Sequence, residues 1–165
     1  MSRPLIRVDT PLLVQGRGPA ALVAAKVAGA CGQPCLLVGH EVTSGDTPVE
    51  LDAAATTVLE EHGLLDVLRP YLLASDPLTV VPSDFERVVK QHCVADLNVG
   101  VYDRFEIVDR VIDGRTLCGL LTDGTSRWQL TADACIDADA LARSLPAAIT
   151  HGAAAALDAI VTLRS

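Results

Sequence analysis

The chain has 165 residues, 50% of them apolar, 21% charged and 3% aromatic, and its 13 Lys and Arg against 21 Asp and Glu give a net charge of −8. That length and composition fit one domain, which buries roughly 70% of the surface of its unfolded chain and needs no metal or disulfide to fold. An acidic surface repels phosphate backbones and so few aromatics leave little to stack bases, which argues against a nucleic-acid partner.

The opening Met1–Arg7 lacks the apolar stretch of a signal peptide, and the most apolar run, 22–38, is broken by Lys26, Gly29, Gly32, Gln33 and Pro34. The expectation is a cytoplasmic protein with no membrane insertion. Cys31, Cys35, Cys93, Cys118 and Cys135 are odd in number and mostly lie in apolar segments. They read as reduced thiols used as small hydrophobes, and the C-x3-C spacing of Cys31 and Cys35 has no second pair to make a metal site.

In chain order, Pro11–Gly16 is a short apolar run ending in glycine, followed by an Ala-rich segment with Pro19 at its start and Gly32 at its end. That is strand, turn and helix, and Pro34–Gly39 continues as a second strand without polar alternation, which completes a βαβ unit. Residues 43–48 form a loop, 49–73 a pair of helices broken near Gly63, and 78–81 a short strand. Ser83-Asp-Phe-Glu86 has the spacing of a capping box, placing a helix over about 84–94. Segments 99–112, 115–121 and 125–131 are rich in β-branched residues and separated by Asp113-Gly114 and Asp123-Gly124, so they form a three-stranded antiparallel meander. A buried strand at 134–136 and a helix over 146–164, with Ile149, Ala153, Leu157 and Ile160 on its inner face, complete the chain.

Gly16-Arg17-Gly18-Pro19-Ala20-Ala21 matches G-x-G-x-x-A between the first strand and the first helix. In that dinucleotide fingerprint the first glycine makes the tight turn, the second lets a pyrophosphate approach the backbone, and the third small residue lets helix and strand pack closely. Arg17 either reaches a phosphate or is simply solvated. A dinucleotide site also wants a carboxylate on the ribose, and the position for it holds Gly39, with His40 and then Glu41 beyond. Either a bulge brings Glu41 or His40 to the ribose, or this strand end has lost its ligand. The four histidines have no metal-ligand spacing, Ser44 and Ser83 have no catalytic partners in sequence, and no catalytic residue is assigned.

This order of elements resembles the FAD-binding part of flavin-dependent aromatic hydroxylases. Val58-Leu-Glu-Glu-His-Gly-Leu-Leu-Asp-Val-Leu68 is similar to the family's "lelLrelGlldrl" pattern, and Ala132-Asp-Ala-Cys-Ile-Asp-Ala-Asp-Ala-Leu-Ala-Arg-Ser144 to its "AdlVIGADGarS" segment. The resemblance implies an α/β fold, a Rossmann-type parallel sheet with helices on both sides plus a β-meander, with FAD as cofactor and NAD(P) less favoured. It implies too that Asp139 stands where the family's aspartate lies near the flavin ribityl and pyrophosphate.

The departures bear on function. Asp137 and Ala140 replace the two glycines of "GADG", Leu51 and Asp52 stand where the family tends to carry an arginine, and Pro82-Ser83 replaces another. Asp137 is expected to repel a pyrophosphate, and with the missing ribose acid this weakens binding roughly 30- to 20,000-fold at about 1 to 3 kcal/mol each. The substrate-binding part that the resemblance implies has no counterpart, because Asp139 leads almost directly into the last helix. The expected protein is a degenerate flavoprotein-monooxygenase-like domain, a pseudoenzyme with weak or lost FAD binding that serves as an interaction or regulatory module. The alternative is a small FAD- or NAD(P)-binding oxidoreductase component completed by a protein partner or a second copy. Apolar surface left uncovered predicts such association.

Overall fold

The computed structural model describes residues 5–141 and 144–165. Strand β1 (Ile6–Gln15) leads into helix α1 (Pro19–Ala30) and strand β2 (Cys35–Val38). After β3 (Val49–Glu50) come α2 (Ala53–Glu61), α3 (Leu64–Leu68), β4 (Ala74–Ser75), β5 (Leu78–Val80) and α4 (Pro82–Ala95). The chain finishes with β6 (Val99–Tyr102), β7 (Glu106–Asp113), β8 (Thr116–Thr122), β9 (Arg127–Asp137) and α5 (Leu145–Arg164).

The main sheet has the order β6-β2-β1-β9-β8-β7, parallel from β6 to β9 and antiparallel from β9 to β7, and β3-β5-β4 form a small antiparallel sheet of their own. Strand β1 begins at Ile6 rather than Pro11 and Val49–Glu50 pairs as a strand rather than opening a helix, and two larger differences from the sequence reading concern the later strands. The segment 99–112 is two strands in different places, β6 at the parallel edge and β7 at the antiparallel edge. Segments 125–131 and 134–136 are instead one strand, β9, whose first half pairs with both β8 and β1 and whose second half runs on beside Leu12–Gln15. A single long strand therefore joins the meander to the parallel sheet, which local β-propensity does not reveal.

All five helices contribute to one apolar cluster, against Leu12, Val14, Cys35, Leu37 and Ile136 of the sheet. The opposite face, with Leu13 and Val38, is covered by Ile107 of β7 and Leu117 and Leu121 of β8. The expectation of helices on both faces is corrected accordingly: the meander takes the second face. Helix α1 is buried nearly all round, and its alanines let α5 cross so closely that a Cβ on Gly152 would stand 2.7 Å from the Ala20 carbonyl oxygen. Helix α5 is long and apolar enough to cross a membrane by length and composition, yet Ala148, Ile149, Ala153, Ala156 and Ile160 are buried in the core. Leu157, placed on the inner face by the sequence reading, is 42% exposed, and Ala156 takes the inward position. The thiols divide too: Cys35 and Cys93 are buried and pushed up to about 12 by desolvation, whereas Cys31 and Cys118 are exposed.

Candidate functional site

The C-terminal ends of β1 and β2 open into a cleft, as expected where neighbouring parallel strands turn into their loops. Gly16 and Gly18 both have positive φ, 150° and 81°, and Pro19 begins α1 directly after them. The Gly16 N–H donates to Val38 O at 3.4 Å and the Gly18 N–H to Glu41 O at 3.1 Å, so the turn is stitched to the end of β2. The Arg17 N–H donates to Asp139 Oδ1 at 2.8 Å, which brings the two segments singled out in the sequence together across 122 residues. A Cβ on Gly16 would meet Asp139 N at 3.0 Å, and one on Gly18 would meet Thr43 Oγ1 at 2.9 Å. A side chain at either place is strained, because the positive φ disfavours it and the close neighbours must shift to admit it.

Arg17, Gly18, Pro19, Thr43, Ser44, Ala138 and Asp139 line a recess of about 290 Å³ against the start of α1. That helix carries no side-chain cap and no acidic residue in its first turn, leaving its free amides and the positive end of its dipole facing the recess. A neighbouring hollow of about 530 Å³ is bounded by Gln15, Gly16, Val38, Gly39, Phe105 and Arg110, among others. The cleft mixes charges. Arg17 and Glu41 pair at 3.8 Å with both side chains mostly exposed, and Arg104, Glu106 and Arg110 come from the meander side.

Of the sequence-named residues, Gly16, Arg17, Gly18, Pro19, Glu41 and Asp139 border the cleft, while Ala20 and Ala21 are buried inside α1. His40 does not reach the ribose side. It is 1% exposed and its Nε2 lies 3.2 Å from Glu86 Oε1. Asp137 ends β9 beside Gln15, next to the glycine turn, and also lines the groove beside α5. Gly39 has φ 76°, and a Cβ there would stand 3.2 Å from the Phe105 carbonyl oxygen.

Two features escaped the sequence reading. Ser83 and Glu86 are not a capping box: Pro82 already lies in the helix, the cap position is Val81, and both residues are buried on the face turned to loop 40–46. Pro82 held the signal, since proline favours the first helical position and so moves the start ahead of Ser83. The other feature is aromatic. Tyr102, Phe105 and Trp128 form one cluster behind the hollow, with Phe105 stacked on Trp128 at 5.1 Å. Nothing in their spacing signals it, because β6, β9 and a bend bring them together.

No protein-family model matches the chain, and no curated protein matches it. Solved structures do. The p-nitrophenol 4-monooxygenase PnpA from Pseudomonas putida DLL-E4 aligns with a TM-score of 0.64 at 17% identity, over 80% of this chain and 42% of that one. The flavin-dependent monooxygenase PieE, solved with FAD and substrate, gives 0.67 at 16% identity over 79% and 30%. PqsL from Pseudomonas aeruginosa, a probable FAD-dependent monooxygenase, gives 0.63 at 17% identity over 82% and 43%. The chain has the fold of flavin-dependent monooxygenases. It spans less than half the length of each of these three, and within that fold the glycine turn, α1 and β2 border the cleft together with loop 40–46, the start of β7 and Asp139.

Proposed function

We propose that this chain is a degenerate flavoprotein-monooxygenase-like module that holds FAD weakly or not at all and acts through association with another protein or a second copy. The observation that carries this reading is Gly39. The ribose acid of a dinucleotide site belongs at this strand end, and the backbone there, at φ 76° with the Phe105 carbonyl 3.2 Å from the Cβ position, strains any side chain placed on it. Glu41, the nearest carboxylate, is engaged with Arg17, and the Asp139 carboxylate already takes the Arg17 amide of the glycine turn.

The residues present thus fit a diphosphate on one side of the cleft and do not fit the ribose on the other, so no catalytic step is assigned through a flavin. Absorbance and thermal melting test the reading. Purified protein should be colourless after dialysis, with little or no rise in Tm on adding FAD, NAD or NADP. Yellow protein that keeps its flavin through dialysis overturns it.

The uncapped start of α1 beside the 290 Å³ recess favours a second reading, an oxidoreductase component whose missing walls come from a partner chain. On that reading FAD binds tightly only in the complex, which the same absorbance measurement on the co-purified assembly detects.

A further inference from the structure

Behind the recess lies a group of buried polar side chains that the cleft itself does not use. Glu86 of α4 is fully buried, its Oε1 facing His40 Nε2 at 3.2 Å while its Oε2 accepts the N–H groups of Thr43 at 3.2 Å and Ser44 at 2.8 Å. One turn earlier, the Ser83 N–H donates to Gly45 O at 3.1 Å and its hydroxyl donates to Asp46 Oδ1. Loop 40–46 is therefore held to α4 at five of its seven residues. It has no secondary structure of its own to hold Thr43 and Ser44 beside Gly18.

We propose that Glu86 is the positioning residue of the recess: its buried carboxylate, acting through the Thr43 and Ser44 amides, fixes loop 40–46 as the wall opposite the start of α1. The role given to that wall rests on the recess being the remnant of a diphosphate seat. The dependence of the wall on Glu86 does not. A carboxylate suits this task because it accepts three hydrogen bonds at once, two of them from adjacent backbone amides, and charge-assisted bonds to a buried carboxylate are stronger than neutral ones.

Burial pushes the Glu86 carboxyl up, but the hydrogen bonds from His40 and Ser44 outweigh it and leave the group below its ordinary range. The other titratable groups nearby are His40 on its Oε1, Asp46 against Ser83, and the Arg17–Glu41 pair beyond Gly18. On its own helix Asp84 and Arg87 pair with each other at the surface, and Lys90 pairs with Asp103. For a carboxyl held low by folding, the stabilisation is full above its unfolded pKa and is lost as pH falls through the folded one. The wall therefore loosens in acid and holds at neutral pH.

Amide hydrogen exchange on the whole chain, corrected for the intrinsic rate at each pH, tests this without any ligand, so its outcome is separate from that of the flavin titration. Glu86→Gln keeps the shape and loses the charge; Thr43 and Ser44 should then exchange about tenfold faster or more, with the β1 and α1 amides unchanged. In the wild-type protein the same two amides should lose protection on acidification before the core does, a step absent from Glu86→Gln. Unchanged exchange at Thr43 and Ser44 in the variant, or an acceleration shared equally with β1 and α1, overturns the proposal. If the variant does not fold, the wild-type acid series decides alone: loss of Thr43 and Ser44 protection only together with the core overturns it.

Discussion

On the α4 side of the cleft, loop 40–46 is fixed by Glu86, His40 and Ser83, all buried. On the meander side, Arg104, Phe105 and Glu106 sit on and just after an exposed bend between β6 and β7, where Phe105 stacks on Trp128 and Glu106 joins the ladder beside Thr122 while the charged side chains face solvent. The first wall rests on buried polar groups, Glu86, His40 and Ser83, although Thr43 and Asp46 themselves reach the surface, whereas the second is made of groups that water already reaches. Removing a partner is costly in the first case and cheap in the second. The glycine turn between them belongs to the rigid side, because its N–H groups donate hydrogen bonds to Val38 O, Glu41 O and the Asp139 carboxylate.

Substitutions on the two sides should separate them. The largest effect belongs to Glu86→Ala, which strands the buried His40 and takes the acceptor from two part-buried amides, and should cost about 3 kcal/mol in urea unfolding. A loss under about 1 kcal/mol would mean that water enters and makes the two walls alike. Gly39→Glu comes next. Charge reasoning from sequence makes it, together with Asp137→Gly, the repair of the ribose site, but the positive φ and the Phe105 carbonyl should make it cost about 1 to 2 kcal/mol. Because a side chain on Gly39 strains the end of β2, the pair should give no gain in FAD affinity by titration calorimetry. The smallest effect is expected for Arg17→Ala. Its ion pair with Glu41 is long and exposed, and the Tm should move by no more than about 0.5 kcal/mol of stability allows.

Much of the first half of the fold was legible in the residues. Gly16-Arg-Gly18-Pro19 combines two positions that require glycine with a proline suited to a helix start, so strand, turn and helix follow from local chemistry. The hairpin turns were also readable. Asp113 pairs with Thr116 across Gly114-Arg115, and the Asp123 carboxylate accepts the Thr125 and Ser126 amides next to Gly124. The S-x-x-E spacing misled because Ser83 and Glu86 do lie one turn apart on a helix, yet their partners come from a loop about forty residues earlier. His40 misled in the same way. Its place after β2 suggested a ligand, and only packing against α4 turns it inward.

By itself the sequence determined the βαβ start, the glycine turn, the hairpins and the likeness to flavin-dependent hydroxylases, because each rests on backbone preferences or spacings within a few residues. Tertiary structure alone decided that β9 runs unbroken from meander to parallel sheet, that the meander covers the face opposite the helices, and which carboxylates face the cleft. Those outcomes depend on which distant groups leave water together, and burial of that kind is set by the packed whole rather than by any segment.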